Sequence, residues 1–495
     1  MGRNKSNFVD LCQGDFGRKT AYTGVAQITT ENVIQVLSDT IGTHNRNRMM
    51  INYLYRYYKG DQPILYREKL VRPEVNNRVV ENHALEVVKF KAGQIYGEPI
   101  QYVCKKKKAD KKINEQVDLL NDYLDEANAD ARNIQLGIYQ SAVGTAYKAI
   151  LREDDWTKDR DLPPFRIFIP YPGDVYIVYS RNTGKAMLSV QILKDEENQQ
   201  YYLCYSSNQY FKIKNGQVTV SGINGFGGIP IIEYPNNHDR LSDVEIAITA
   251  FDAINKYQSD RLNGVEQFVQ AFMKFKNCEV DENEFLKMVK LGAISVKDAG
   301  NGVQSDVDLM TAELNQSESQ VAKDDIYNNM LIVEAMPNRQ SNTGGDTGNA
   351  VYLRNGWDFA ERDAKLVEAF TKEAEKASVR IILNIIRKTS NDVKISTRDF
   401  DVKITRNPTD NMLVKAQALD YLFKNKIHPL IALITCGLFS DPQKVYEMSL
   451  PYLGTVYPEL ANPDAEMKKA QELIKYFSQK SIQNQSATIS STGEE

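Results

Sequence analysis

Apolar residues recur at helical spacing through most of this chain. In the run TENVIQVLSDTIGTHNRNRMMINYLYRYYKG (30–60) they form one stripe of a helix that ends at Gly60. NNRVVENHALEVVKFKAGQIYG (76–97) repeats the pattern and stops at Gly97, just before Pro99. The period then drops to two. Residues 165–234 read as strands, and QYFKIK-NG-QVTVSG is the clearest hairpin, because Asn215-Gly216 suits the positive dihedrals of a two-residue type I′ turn. These strands are the β portion of an α+β, mostly helical protein. Helical periodicity returns from Leu241 to Phe275, a rod of roughly 50 Å at 1.5 Å per residue. Residues 293–309 read as strand, Gly-rich turn and strand, and a second helix covers 311–335.

A glycine-rich stretch follows, NRQSNTGGDTGNA (338–350), and then a long amphipathic helix over 350–388. Its apolar stripe includes Leu353, Trp357, Ala360, Leu366, Phe370, Ala374, Ala377, Ile381 and Ile385. DVKITRN (401–407) is a short strand. Residues 411–477 are helical again, with breaks at Pro429, Gly437 and Pro442, and the Ser/Gln-rich tail (478–495) is expected to be disordered. Long helices bury only a stripe each, so neighbouring copies are expected to supply part of the burial and the protein to be a homo-oligomer.

Composition excludes several function classes. The 495 residues are 42% hydrophobic and 25% charged, an ordinary globular balance, and a net charge of −4 supplies no bulk positive field for nucleic acid. The cysteines at 12, 104, 204, 278 and 436 form no CxxC pair, and His44, His83, His238 and His428 are too far apart for ligand spacing, so no metal, cofactor or disulfide framework is expected. This usage fits a reducing compartment. The N-terminus has no signal-peptide core, and its Met-Gly start with Ser6 fits only a loose myristoylation pattern. No apolar run reaches membrane-helix length, so no membrane contact is expected. The lysine run KKKKADKK (105–112) reads as a solvated loop or helix start before it reads as a phosphate or capsid contact.

The glycine stretch invites comparison with a phosphate loop. A Walker loop needs G-x-x-x-x-G-K-[ST] after a strand. Here Gly344 and Gly348 are one residue too close, Asn349-Ala350 replaces the Lys-Ser/Thr pair, Asp346 adds negative charge, and a helical segment leads in. The carboxylate pairs Asp154-Asp155 and Asp324-Asp325, and the aromatic cluster YLYRYY (53–58), read as solvent-facing acids and packed helix face. No catalytic set emerges.

Three stretches carry a resemblance. NNRVVENHALEVVKFKAGQIYGEPIQYV (76–103) has paired Asn before a helix closing on Tyr-Gly-Glu-Pro. GFGGIPIIEYPNN (225–237) precedes a Ser-Asp helix, and GGDTGNA (344–350) precedes a long helix. In this order and spacing they resemble the tailed-phage portal proteins of the SPP1-like siphophage branch, over about residues 25–460. The resemblance implies a ring, commonly a dodecamer, at one capsid vertex, through which double-stranded DNA passes. It implies a flexible arm (1–25), a wing (26–240 and 351–410), two stem helices (241–270 and 311–336), a clip (271–310), a tunnel loop (337–350) and a helical crown (411–477). The implied partners are the major capsid and scaffolding proteins, the terminase large subunit and the head–tail adaptor. The implied locations are the virion and, during assembly, the host cytoplasm. No enzymatic activity is implied.

Two residue sets follow as candidates. The loop residues Asn338, Arg339, Gln340, Ser341, Asn342, Thr343, Gly344, Gly345, Asp346, Thr347, Gly348 and Asn349 would touch passing DNA weakly. Asp243, Glu245, Asp252, Asp260 and Glu266 of the first stem helix, against only Lys256 and Arg261, would present an acidic surface that does not grip DNA. The alternatives are a nucleotide-binding enzyme that uses Gly344–Gly348 and a capsid or tail protein without a channel.

Overall fold

The computed structural model describes residues 16–70, 73–105, 111–153, 156–157, 162–269, 272–276, 281, 283, 287, 306–310, 316–338, 356–406, 412–425, 427–439 and 442–456. The chain divides into two units, 1–406 and 407–495.

The first unit opens with β1 (Ala21–Thr23) and the helix α1 (Val33–Tyr58). The helix α2 (His83–Tyr96) is capped by Asn82, whose side chain accepts a hydrogen bond from the Leu85 amide, and is followed by β2 (Gln101–Cys104). Then come α3 (Lys111–Glu126), α4 (Ala129–Val143), β3 (Thr145–Arg152), β4 (Phe165–Phe168), β5 (Val175–Ser180), β6 (Ala186–Lys194), β7 (Gln200–Tyr205), β8 (Gln209–Lys214), β9 (Gln217–Ile223) and β10 (Ile231–Pro235). A six-stranded sheet has the order β1-β5-β6-β7-β8-β9, and a three-stranded sheet the order β10-β3-β4. The β8–β9 turn has Asn215 at φ 52° and Gly216 at φ 74°, the type I′ signature expected from the sequence.

Next stand α5 (Asp243–Val269), β11 (Phe272–Lys276), β12 (Asp306–Met310), α6 (Gln316–Val333), α7 (Trp357–Thr389) and β13 (Phe400–Lys403). The helix expected from 241 to 275 therefore ends at Val269. Residues 272–276, FMKFK, put lysine at alternate positions, and this two-residue period makes a strand that pairs antiparallel with β12. β13 pairs with β2 across nearly three hundred residues of sequence.

Among the described residues, three larger cores organise this unit, beside a small one at Tyr147, Ala149, Val175, Ile177 and Ile231. Val33, Val36 and Leu37 of α1 cover the inner face of the large sheet at Val178, Leu188, Val190 and Phe211. A second core gathers α1, α2, α4, α5 and α6 around Leu54, Val87, Val88, Phe251 and Met330. The third joins α3, α4 and α7 to the small sheets.

One expectation is corrected at the N-terminus. Residues 16–25 are packed rather than a free arm. β1 pairs parallel to β5, and Arg18 is buried against Glu245. Gly17 permits the approach: its φ is +76°, and a Cβ there would lie 2.4 Å from the Asp239 carbonyl. Residues 1–15 lie outside the described residues, as does the tail 478–495.

The second unit contains α8 (Met412–Lys424), α9 (Pro429–Cys436) and α10 (Pro442–Val456); α9 starts at Pro429 and stops before Gly437, and α10 starts at Pro442, the expected breakers. Gly437 closes α9 at φ 56°, and its carbonyl accepts from the Lys415 ammonium at 2.9 Å.

Candidate functional site

α5 and α6 form an antiparallel pair. Arg261 donates to Gln320 at 2.5 Å, Lys323 donates to Gln258 at 3.2 Å, and Phe251 shares a core with Met330. The start of α5 is fixed by a capping box in the sequence Ser242-Asp243-Val244-Glu245. Ser242 Oγ accepts from the Val244 amide at 3.0 Å, and Glu245 accepts from the Ser242 amide at 2.9 Å.

A polar ladder holds the middle of α5. The extended segment 77–81 runs along the helix with its chain reversed. Asn263, Ser259 and Asn255 accept from the backbone amides of Asn77, Val79 and Glu81 at 2.7, 3.0 and 2.8 Å. Four helical residues rise about 6.0 Å and two extended residues about 6.6 Å, so the two periods nearly match. The paired asparagines Asn76-Asn77 thus serve the fold. Asn77 binds the helix, and Asn76 donates to the Arg67 carbonyl at 3.0 Å.

The five acids of this helix separate by environment. Asp243 and Glu245 are buried and face inward, which corrects the expected acidic surface. Asp243 accepts from Ser141 at 2.5 Å and from Asn236 at 2.9 Å, and Glu245 pairs with Arg18. Burial pushes the carboxyls of both above their ordinary values. Asp252 accepts from the Tyr57 hydroxyl at 2.8 Å. Asp260 pairs with Arg67 at 2.7 Å, and Glu266 accepts from Asn77 at 2.7 Å. The outward face of α5 is mixed, with Ile246, Lys256, Tyr257, Leu262 and Val265 exposed beside Asp260 and Glu266.

Of the glycine-rich segment, Asn338 is described and donates to Asn328 at 3.0 Å, while 339–349 lie outside the described residues. Its entry is well defined. α6 ends in a Schellman turn, with the Met336 amide bonded to the Leu331 carbonyl at 2.8 Å, the Ala335 amide to the Ile332 carbonyl at 3.1 Å, and Ala335 at φ 49°. The lead-in is thus a helix, where a phosphate loop needs a strand. On the far side Gly356, at φ 81°, precedes α7.

Both flanks meet one partly buried charge cluster that sequence reasoning missed. Lys91 of α2 pairs with Asp363 of α7 at 2.6 Å, beside Asp243 of α5 and Glu334 at the end of α6. The available signal was local: Glu334 is the single polar residue in MLIVEAM (330–336).

The other buried ionisable groups bind elements together. Glu375 of α7 accepts from Lys148 at 2.7 Å and from Tyr102 and Tyr234 at 2.6 Å each. Glu233 pairs with Arg240 at 2.7 Å and accepts from Tyr179 and Thr145. Burial pushes the Cys204 thiol up to about 12, which leaves it unreactive. Among the described residues, no group of His, Cys, Asp and Glu could hold a metal ion. No described helix is long and apolar enough to cross a membrane.

The family model described as "Phage portal protein, SPP1 Gp6-like" matches residues 37–475. The chain belongs to the phage portal protein family. It is 21% identical over 434 residues to the portal protein of Bacillus phage SPP1, covering 81% of this chain and 78% of that protein. A solved structure described as the neck of an empty GTA particle, computed with C6 symmetry, is similar at TM-score 0.43 and 10% identity, over 72% of this chain and 90% of that one. The portal family is structural rather than enzymatic. In this portal chain, accordingly, the buried charges described above hold helices and sheets in place.

Proposed function

We propose that the protein forms a homo-oligomeric ring, dodecameric in the assembled particle, at one capsid vertex, and that double-stranded DNA enters and leaves through its axis. The observation that carries this reading is the portal family match over residues 37–475. In this reading α5 and α6 are the stem, β11 and β12 belong to the clip, and 337–350 projects into the channel. The clip receives the terminase large subunit and, after packaging, the head–tail adaptor. The wing meets the major capsid and scaffolding proteins.

Surface chemistry supports an assembly. Val321, Ile332 and Val333 on α6 and Phe359 and Leu366 on α7 are exposed in the single chain, apolar surface that adjacent subunits would cover. With Asp243 and Glu245 buried, a weak hold on DNA rests on the mixed outer face of α5 and the polar composition of the loop. Few phosphate contacts mean little counterion release and low resistance to sliding.

Electron micrographs of the purified protein test the ring. Closed rings with a central hole are expected, and a population without them overturns the proposal. Shortening 341–348 is expected to leave rings intact while impairing packaging or DNA retention. Loss of ring assembly in that deletion would place the loop in the subunit interface instead.

A further inference from the structure

Glu334 has no ordinary explanation. Its side chain is buried, with 1% relative exposure, and neither carboxyl oxygen has a protein hydrogen-bond partner among the described residues. Native structures rarely leave such a group unsatisfied. The charged groups acting on it come from three other elements: Lys91 from α2, Asp243 from α5 and Asp363 from α7. One ammonium therefore serves three carboxyls. Asp363 takes the direct bond at 2.6 Å, and Asp243 is satisfied by Ser141 and Asn236. Glu334 is left with nothing to offset its charge at short range. A cavity of ≈ 20 Å³ borders Lys91, Asp243 and Asp363, giving the ammonium room to shift.

The position matters as much as the chemistry. Glu334 lies just before the Schellman turn that leads into the glycine-rich segment, and Asp363 lies in the second turn of the helix that follows it. Lys91 belongs to neither flank. We propose that Lys91, Asp243, Asp363 and Glu334 form a proton-sensitive clamp that ties both flanks of the glycine-rich segment to α2, closed while Glu334 carries a proton and loosened when it gives that proton up. Burial, with Asp243 beside it, pushes the Glu334 carboxyl well above its ordinary value; Lys91 opposes the shift and Asp363 adds to it. The ionised form would place a bare carboxylate among two others, a cost removed when the end of α6 moves out to water. The clamp stands on this geometry whether or not the segment faces DNA.

The sign of the linkage is definite. The closed clamp binds a proton that the opened flank, with an ordinary carboxyl near 4.5, releases. Opening is therefore favoured as pH rises above that value, by up to about tenfold per pH unit until the closed-state carboxyl itself ionises. Hydrogen–deuterium exchange on the assembled full-length protein from pH 5 to 9 reads this in peptides covering 327–336 and 357–366, after division by intrinsic rates. The wild type is expected to open progressively along that slope. Glu334→Gln, which keeps shape without a titrating proton, is expected to flatten it in both peptides and to raise the melting temperature above pH 7. Asp243→Asn is expected to end the rise at lower pH, because removing a neighbouring negative charge brings the closed-state carboxyl down towards its ordinary value. Equal slopes in wild type and Glu334→Gln, or a response confined to one flank, would overturn the clamp.

Discussion

Lys148→Met tests what holds α7 against the small sheets. The ammonium of Lys148 lies 2.7 Å from Glu375, with side-chain exposures of 1% and 2%. Burial raises the Glu375 carboxyl, but Lys148 and the hydroxyls of Tyr102 and Tyr234 outweigh it and hold the group below its ordinary value. Methionine preserves most of the lysine stem and removes the charge. The remaining carboxylate keeps two hydroxyl donors and loses its counter-ion. Breaking a buried pair from one side costs about 3–5 kcal/mol, so the variant should lose that much in urea unfolding at pH 7. The pH dependence separates charge from packing. In the wild type Glu375 stabilises above its unfolded value of 4.5, and that contribution is lost as pH falls through the lower folded value. In the variant the folded value lies above 4.5, so the penalty is present at neutral pH and fades as the carboxyl protonates. The deficit should shrink as pH approaches 4.5. Adding Glu375→Gln should recover more than half of it, because the amide oxygen still accepts from the tyrosines. A deficit below about 1 kcal/mol, or one independent of pH, would refute the reasoning.

Ala335→Gly should stabilise by about 1 kcal/mol in thermal unfolding, because Ala335 sits at φ 49°, where a Cβ is penalised; a loss of stability would refute the strain. Gly17→Ala should do the reverse, driving a Cβ to 2.4 Å from the Asp239 carbonyl and releasing Arg18 from Glu245, which proteolysis near residue 18 would detect as faster cleavage. Burial lowers the His44 imidazole to about 4. Between its ordinary 6.5 and about 4 the unfolded chain takes up a proton that the folded chain refuses, so stability should fall by up to about 1.4 kcal/mol per unit of acidification, and His44→Gln should remove that component of the acid limb in denaturant titrations.

Local pattern made much of the fold legible. The Asn215-Gly216 hairpin and the breaks at Pro429, Gly437 and Pro442 depend on neighbours within a few residues, and they stand where the sequence puts them. Phe272–Lys276 was harder, because FVQAFMKFK fits a helical stripe and a strand alternation equally until its partner at 306–310 is known. The fate of the acids on α5 was not readable at all. Asp243 and Glu245 turn inward because Ser141, Asn236 and Arg18 await them, residues up to 227 positions away. Trp357, placed by the sequence on the apolar stripe of its helix, stands 6.1 Å from Phe90, a partner the sequence does not indicate. A single sequence records which residues are charged, but burial and pairing are properties of the assembled neighbours.

The ladder between 77–81 and α5 makes the helix an indexed shaft. Its three rungs, at Asn255, Ser259 and Asn263, are one helical turn apart and meet amides two residues apart. Displaced along its axis by half a turn, α5 would strand all three amides at about 1 kcal/mol or more each. Displaced by a full turn, about 6 Å, it would offer Asn255 to Val79 and Ser259 to Asn77, restoring two rungs of three. Such a joint resists gradual creep and favours whole clicks. Any axial travel of this helix against the segment beside it is thereby quantised by the spacing of an asparagine, a serine and an asparagine.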